Sequence, residues 1–253
     1  MRETLRRGGE TLPNSVGGRF EVLTMTPELG YQLPRGFDVR ARAPLHWKSF
    51  EETTPAVTAD ASGLGDLELL GRYERTLSPR WYASATAGVA LPTGSTEPQP
   101  FVGEAAPTVL QLGSGTVDPI LAGLVRYAPP GPWVASANAA TRLAVYENSH
   151  EYQSADLFEL GIGGAVSLWS SRVDVRLHVD YSSVTHVEIA GVAAPNTGRA
   201  TVYASPGVRV RLWREVTADV SAHVPLYMRV NETQFTEDAL FAVRLAYRTP
   251  PLF

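Results

Sequence analysis

Apolar and polar residues alternate along most of the chain with a period of two. The segment 171–182 shows the pattern most clearly. Its apolar residues are Val173, Val175, Leu177, Val179 and Tyr181, and its polar residues are Arg172, Asp174, Arg176, His178 and Asp180. This period is typical of a β-strand whose two faces meet different surroundings.

Similar alternation predicts eleven strands along the chain. They lie at 20–32, 36–48, 64–76, 81–92, 115–127, 133–146, 154–168, 171–182, 199–213, 215–229 and 238–248. Each has roughly 11–15 residues, whereas a tilted strand needs about 9–11 to cross a bilayer and an average soluble strand has about 5–6. The strand length therefore favours a membrane protein.

The connections between these strands alternate in length. Short turns are predicted at 33–36, 77–80, 128–132, 169–171 and 213–215, and long polar loops at 48–63, 92–114, 147–154, 184–198 and 230–237. Outer-membrane β-barrels sort their connections in this way, with short turns at the periplasm and long loops outside.

The number of strands indicates which face of each strand points to lipid and which points to the interior of the barrel. A barrel of eleven or twelve strands is too wide for side chains to fill, since about eight is the limit for a packed interior. The apolar face is therefore expected to contact lipid, and the charged face to line a lumen. Trp81, Trp133, Trp169 and Trp213 all lie beside short turns, where an aromatic girdle would meet the periplasmic interface.

The predicted fold is all-β, an antiparallel transmembrane β-barrel of about 12 strands in the full-length protein, with 11 clear in this chain. Residues 1–18 are predicted as a polar N-terminal segment or loop and residues 19–253 as the barrel. Because single-chain bacterial barrels have even strand numbers, we expect one strand and a secretory signal upstream of Met1. Alternatively, residues 2–7 form a short twelfth strand.

Five prolines fall inside predicted strands, where each removes a backbone donor from the ladder. They are Pro27, Pro44, Pro119, Pro206 and Pro225. A closed barrel has no free edge to hold them, so we expect bulges or local bends at these positions.

The bulk composition excludes several classes. The 253 residues carry a net charge of −4, so electrostatics gives no reason to expect nucleic acid as a partner. The chain has no cysteine, which excludes a disulfide framework and a thiolate metal site. Although 44% of the residues are apolar, no run approaches the roughly 18 residues of a membrane helix.

Short glycine and proline motifs recur at the ends of the predicted strands. They are Ser62 to Asp66, Leu91 to Gly94, Leu112 to Gly115 followed by Asp118, Ala43 to Leu45, and Val224 to Leu226. In these motifs and their order, the region 20–248 resembles the outer-membrane barrel family assigned to transport in the meta-pathway of phenol degradation. The resemblance implies transport of small, hydrophobic organic compounds. The chain departs from the usual barrel ending, because prolines separate Tyr247 from Phe253.

The lumen-lining and solute-binding candidates are charged or histidine side chains of the polar faces. They are Arg40, Arg42, Arg72, Arg142, Arg172, Asp174, Arg176, His178, Asp180, Arg209, Arg211, Asp219 and His223. Arginines and carboxylates are nearly balanced on these faces, which predicts ion pairs between strands. Two interpretations stay open: a polar passage with a selective constriction, or a plug-like interior whose charges only satisfy one another.

The sequence gives little support for an enzyme. A lumenal triad of His178, Ser182 and Asp174 or Asp180 can be drawn, and His150 could act with Glu147 or Glu151 in a loop. Nothing indicates an oxyanion hole, and the histidines of the polar faces lie on different strands. We therefore predict no enzyme activity, no cofactor and no metal.

The leading functional hypothesis is a passive channel in the outer membrane of a Gram-negative bacterium, with membrane lipid and the barrel-assembly machinery as partners and an unidentified small solute. The alternative is a non-conducting structural or surface-interaction barrel. Its contact surface would include Pro98, Pro100, Phe101, Ile189 and Val192 of two long loops. A minor alternative is a soluble β-sandwich, in which the apolar faces form a core.

Overall fold

The computed structural model describes residues 3–13, 18–53, 56–101, 103, 106–169 and 172–248, and the regular secondary structure of these residues is almost entirely β-strand. In chain order they are β1 (Glu3–Arg7), β2 (Glu10–Leu12), β3 (Arg19–Met25), β4 (Glu28–Gln32), β5 (Phe37–Arg42), β6 (Leu45–Thr53), β7 (Ala56–Leu64), β8 (Leu67–Ser78), β9 (Trp81–Leu91), β10 (Asp118–Tyr127), β11 (Trp133–Arg142), β12 (Tyr152–Gln153), β13 (Leu157–Leu168), β14 (Val173–Val184), β15 (Glu188–Ile189), β16 (Val192–Ala193), β17 (Arg199–Arg211), β18 (Val216–Val230), β19 (Thr233–Glu237) and β20 (Leu240–Tyr247). A short 3₁₀ turn lies at Pro34–Gly36.

The main sheet has 11 strands in the order β20-β18-β17-β14-β13-β11-β10-β9-β8-β5-β4. Every neighbouring pair is antiparallel, as expected when short turns and loops join successive strands. The strands are up to 15 residues long, so the predicted barrel strands are present.

Three neighbouring strands of the barrel are interrupted at one level. Breaks at Pro27, at Pro44 and at Gly65–Asp66 separate β4, β5 and β8 from a second sheet with the order β3-β6-β7. Backbone hydrogen bonds still cross this level, from Ala43 N to Pro27 O at 3.1 Å and from Gly65 N to Pro44 O at 2.7 Å. The wall therefore bends here without opening.

Two predicted loops are wrong, because both regions continue as strands. The loop at 48–63 consists of β6 and β7, and the loop at 230–237 consists of a two-residue turn followed by β19. Where a strand rises above the lipid, its outward side chains can be polar. The alternation of apolar and polar residues then fades while the backbone pairing continues.

The two edge strands of the main sheet approach each other and close the cylinder. Arg244 Nη2 on β20 lies 3.2 Å from Glu28 Oε1 on β4. Within the described residues, no backbone pairing joins these two strands. At the loop end a small sheet, β19-β1-β2, lies beside β18, where Val230 N donates to Gly8 O at 2.9 Å. The N-terminal region, predicted as a segment or loop, thus contains a strand at Glu3–Arg7.

The two faces of the main sheet differ sharply in polarity. The buried carboxylates Asp38, Asp118 and Asp219 lie on one face, hereafter the inner face. Large apolar side chains such as Leu177, which is 56% exposed, lie on the other, the outer face. A soluble protein has the opposite arrangement, whereas lipid around the barrel makes this one favourable. No helix among the described residues is long and apolar enough to span a membrane.

Exposed tryptophans mark the short-turn end of the outer face. Trp81, Trp133, Trp169 and Trp213 lie at the ends of β9, β11, β13 and β17 or in the adjoining turns, and all are exposed. The ring centroids of Trp81 and Tyr127 are 4.8 Å apart. Amphipathic rings in this position suit a lipid–water interface.

The strand prolines have different effects. Opposite Pro225 the register of β17 and β18 shifts between Val202 and Tyr203, so the expected bulge is present there. Pro119 and Pro206 lie in strands whose register continues unchanged. The bulge also reverses the faces of the residues beyond it. Strict alternation along 215–229 would place Met228 on the lipid face, but the residue is 2% exposed and lies on the inner side.

The loop between β9 and β10 folds back over the mouth of the barrel. Its residues Ala106, Leu110 and Leu112 form a buried apolar cluster with Ala61 of β7. Phe20, Phe50, Ala59 and Phe101 pack against this cluster. Phe50 and Ala59 are Cα partners on the inner face, so the segment 106–117 lies against the inner wall. Phe253, Pro250 and Pro251 lie outside the described residues.

Candidate functional site

The inner face of β4, β5 and β8 bears a network of ion pairs. Arg40 Nε lies 2.6 Å from Asp38 Oδ1, and Arg42 Nε lies 2.7 Å from Glu28 Oε2. Arg72 pairs with Glu74 and lies 3.5 Å from Asp38. These residues meet because the antiparallel register places Asp38 opposite Arg72 and Glu28 opposite Arg42.

A second network lies on the inner face of β14, β17 and β18. The carboxylate of Asp219 pairs with Arg176 and also with Arg209 Nε at 3.1 Å. Asp174 accepts a hydrogen bond from Ser167 Oγ at 2.6 Å. Two guanidinium groups thus share the Asp219 carboxylate, and Asp174 lies opposite Arg209, so the two arginines and the two aspartates of this network balance in charge.

A serine, a carboxylate and a histidine are connected further along the same strands. Ser205 Oγ lies 2.5 Å from Asp180 Oδ2 and 2.8 Å from His223 Nδ1. The carboxylate contacts the serine and not the histidine, so it does not orient the imidazole as a catalytic triad requires. The predicted partners differ as well, because His178 and Ser182 lie opposite Ser205 and Thr201 of β17.

The most buried charges form a cluster around Arg142 at the loop end of the lumen. Arg142 Nη2 lies 2.6 Å from Asp118 Oδ2 and 2.7 Å from Asp66 Oδ2, and the Asp118 side chain is 0% exposed. Thr116 Oγ1 donates to Asp118 at 2.5 Å. Ser114 donates to Asp66 from both its backbone N and its Oγ at 2.9 Å. Buried carboxylates are stable only with such partners.

The same cluster fixes the loop segment 106–117 inside the barrel. Asp66 also accepts a hydrogen bond from Gly94 N at 3.2 Å, so one carboxylate holds both ends of the loop. A Cβ on Gly113 would lie 2.7 Å from the Cα of Gly94, which explains the need for glycine at this close approach. Lys48 of β6 donates to the backbone carbonyl of Gln111. The segment therefore narrows the mouth as a fixed element.

One part of the inner wall carries no charge. Between Asp118 and Arg126, the inner-face residues of β10 are Ile120, Ala122 and Leu124. Their partners on β9 are Gly88, Thr86 and Ser84, and those on β11 below Arg142 are Ala140 and Asn138. We call Ile120, Ala122, Leu124, Gly88 and Ala140 the apolar track. From Asp118 to Arg126 the wall is roughly 27 Å long.

Outside the membrane-spanning strands, a loop cluster closes over β12. Tyr152 is buried with Val187 and Ala194. Burial raises the pKa of Tyr152 to about 12, because its phenolate would be poorly solvated there. His150 Nε2 lies 2.5 Å from Glu97 Oε1, and not beside Glu147 or Glu151 as the sequence had suggested. Pro98 is buried and Phe101 packs inward, so neither belongs to an outward contact surface.

Most of the predicted site residues lie on the inner face, in four groups. Arg40, Arg42 and Arg72 lie in the first network, and Asp174, Arg176, Arg209 and Asp219 in the second. Asp180 and His223 meet at Ser205, close to His178. Arg142 is part of the buried cluster. Arg172 lies in a short turn, and Arg211 ends β17 without an ion pair to any described residue.

Several inner-face residues were not predicted from the sequence. Arg126 lies 4.8 Å above the Tyr82 ring, and Tyr82 was not recognised either. Both follow the period-two rule once the register is known, because Arg126 and Tyr82 are Cα partners. Gln111 and Ser114 lie in a loop, where no periodicity exists to predict their direction. Across the described residues, no group of three or more metal-ligating side chains comes together.

A lipid-facing outer surface, a charged inner face and strands long enough to cross a bilayer define a transmembrane β-barrel of the outer-membrane type. The model of the family described as "Putative MetA-pathway of phenol degradation" matches residues 10–245, and the chain belongs to this family. The predicted family resemblance is thereby confirmed.

The fold is similar to that of a solved outer membrane channel from Pseudomonas putida F1, with a TM-score of 0.68 at 14% sequence identity. The match covers 96% of this chain and 91% of that chain. The predicted fold class is thus confirmed. No match was found among curated proteins.

Proposed function

We propose that the protein is a passive outer-membrane channel for small, partly apolar organic solutes. The observation that supports this most strongly is the enclosed inner face, on which paired charges and the apolar track run side by side past the segment 106–117. The paired charges suit a hydrated passage, and the track offers a surface to the apolar part of a solute. The family and the similar outer membrane channel agree with this role.

The mixed-charge lining supports passage in place of catalysis. The ion pairs leave few groups free to act as a general acid, base or nucleophile, and the Ser205 arrangement lacks the order of a catalytic triad. We infer that the lumen residues act on solutes only through charge and shape. Membrane lipid on the outer face and the barrel-assembly machinery are the further partners of this proposal.

Planar-bilayer recording on the refolded protein tests the proposal. We expect stable single-channel steps in chloride salt, and swelling of proteoliposomes in small neutral aromatic alcohols. Refolding is checked independently by heat-modifiable migration on a gel. A correctly folded barrel that gives neither current nor swelling would contradict the channel.

A non-conducting interaction barrel is the second candidate. Ile189 and Val192, on the β15–β16 hairpin of the loop end, are both exposed. Exposed apolar side chains above the membrane favour contact with another protein. Silence in the recordings, together with loss of cell-surface binding in an Ile189→Ser and Val192→Ser double variant, would favour this candidate.

A further inference from the structure

Arg126 has an unusual position among the arginines of the inner face. It occurs in none of the ion pairs formed by the described residues. Its guanidinium carbon lies 4.8 Å from the centre of the Tyr82 ring. A guanidinium held by a ring and without a carboxylate keeps its hydrogen-bond donors for an external anion.

Tyr82 is itself held in place, so Arg126 rests on a fixed support. The Tyr82 hydroxyl donates to Glu74 Oε2 at 2.5 Å and accepts from Arg72 Nη2 at 2.8 Å. Glu74 is thereby occupied by Tyr82 and Arg72 and is not available to neutralise Arg126. The support orients the guanidinium before any ligand arrives, which lowers the entropy lost on binding.

The apolar track ends directly at Arg126. Leu124 precedes Arg126 by one step on the inner face, a distance of about 7 Å along a strand. Apart from Tyr82, the β9 partner of Arg126, the neighbouring positions bear smaller side chains, with Ser84 and Asn138 beside Leu124 and Ser136 beside Arg126. A flat apolar body fits against such a shallow wall, and one step separates this surface from the cation.

We propose that Arg126 and Leu124 form a binding site for small aromatic carboxylates, in which Arg126 binds the carboxylate and Leu124 contacts the ring. The Cα atoms of Leu124 and Arg126 are about 7 Å apart on the same face, so one small ligand can contact both side chains. The opposite end of the track does not compete, because Arg142 is already occupied by two carboxylates. This site rests on the proposed channel function and specifies the class of its solutes.

The test measures block of the chloride current by benzoate in planar bilayers. Benzoate is expected to block at a concentration about tenfold lower than propionate, because its ring contacts the track. Benzyl alcohol, which has the ring without the charge, is expected to block weakly. Equal potency of benzoate and propionate would overturn the proposal.

Two variants and one matched control locate the site. Arg126→Gln should raise the half-blocking concentration of benzoate about tenfold, since a charge-assisted hydrogen bond is lost. Leu124→Ser should raise it about fivefold. Arg211→Gln removes another inner-face arginine that forms no ion pair with a described residue, near the same end of the barrel, and should change the half-blocking concentration by less than about twofold. Similar effects of the two arginine variants would indicate only a general electrostatic field and would refute the site.

Failure of the site and failure of the channel give different results. Chloride current without preferential benzoate block refutes the site and leaves the channel intact. If no current is seen, binding of benzoate to the detergent-refolded protein by ligand-observed NMR still tests the site. Saturable binding that Arg126→Gln abolishes would support it, and no binding would overturn it.

Discussion

Single residues at the buried cluster decide how the loop end of the lumen is arranged. Arg142 is the only cation that bridges Asp66 and Asp118 among the described residues, and both carboxylates are almost fully buried. Two buried anions beside one cation depend on that cation for their stability. The residue is therefore expected to tolerate little change.

Replacing Arg142 by glutamine should destabilise the folded barrel by about 3–5 kcal/mol, because both carboxylates lose their charged partner. The free energy of unfolding is measured by urea titration in lipid vesicles. Arg42→Gln serves as the control, since its ion pairs with Glu28 and Glu68 are partly exposed, and it should cost about 1 kcal/mol or less. Equal losses of unfolding free energy in the two variants would show that the buried ion pairs of Arg142 stabilise the barrel no more than the partly exposed pairs of Arg42.

At this scale, the sequence predicted which face a residue occupies better than which partner it meets. Period two assigned Arg40, Arg176 and Asp219 to one face without information from other strands. The partners depend on the register between strands, which a single strand does not reveal. Arg126 escaped notice because the inner face of its own strand is apolar, so β10 shows little alternation.

The strands of the barrel show the predicted alternation of apolar and polar residues where they lie in the membrane. Eleven strands and four short turns follow the predicted order, because lipid on one side and water on the other enforce alternation. Of the fifth predicted turn, at 169–171, residues 170 and 171 lie outside the described part of the chain. Beyond the membrane both sides meet water or protein, and the alternation fades in β6, β7 and β19. The bulge at Pro225 also could not be located in register from sequence, and it placed Met228 on the inner side.

The loop segment 106–117 should open the mouth when its apolar anchor is broken. Leu110→Glu would bury a carboxylate in an apolar cluster, which costs several kcal/mol, so the segment should leave the wall. The single-channel conductance is expected to rise. Val109→Glu adds the same charge at a neighbouring side chain that is 45% exposed, and it should leave the conductance unchanged. A rise in both variants would show that charge alone changes the current.

The whole molecule is an inside-out protein, with its ionic groups enclosed and its apolar groups outside. A matched pair of neighbours tests this partition. Leu177→Arg should destabilise the membrane-inserted barrel by about 2–4 kcal/mol if the residue lies near the bilayer midplane. Arg176→Leu on the inner face should cost clearly less and should change the conductance, because it frees Asp219 from one of its two arginines.

Folding titrations of both variants into vesicles provide the measurement. A larger loss for Leu177→Arg than for Arg176→Leu is expected. A larger loss of folding free energy for Arg176→Leu would mean that the charged face contacts lipid. This result would contradict the assignment of the two faces, on which the description of the barrel depends.

The barrel is held together most weakly where its two edge strands meet, at the contact between Glu28 and Arg244. Elsewhere around the main sheet, ladders of backbone hydrogen bonds join each strand to the next, but β4 and β20 meet through a side-chain pair. When the barrel is unfolded by heat or by force, β4 and β20 should separate first, because a side-chain pair holds them together more weakly than a backbone ladder would. Unfolding would then proceed inward from both edges, and β11 with its neighbours β13 and β10, farthest from this contact, would be the last strands to separate.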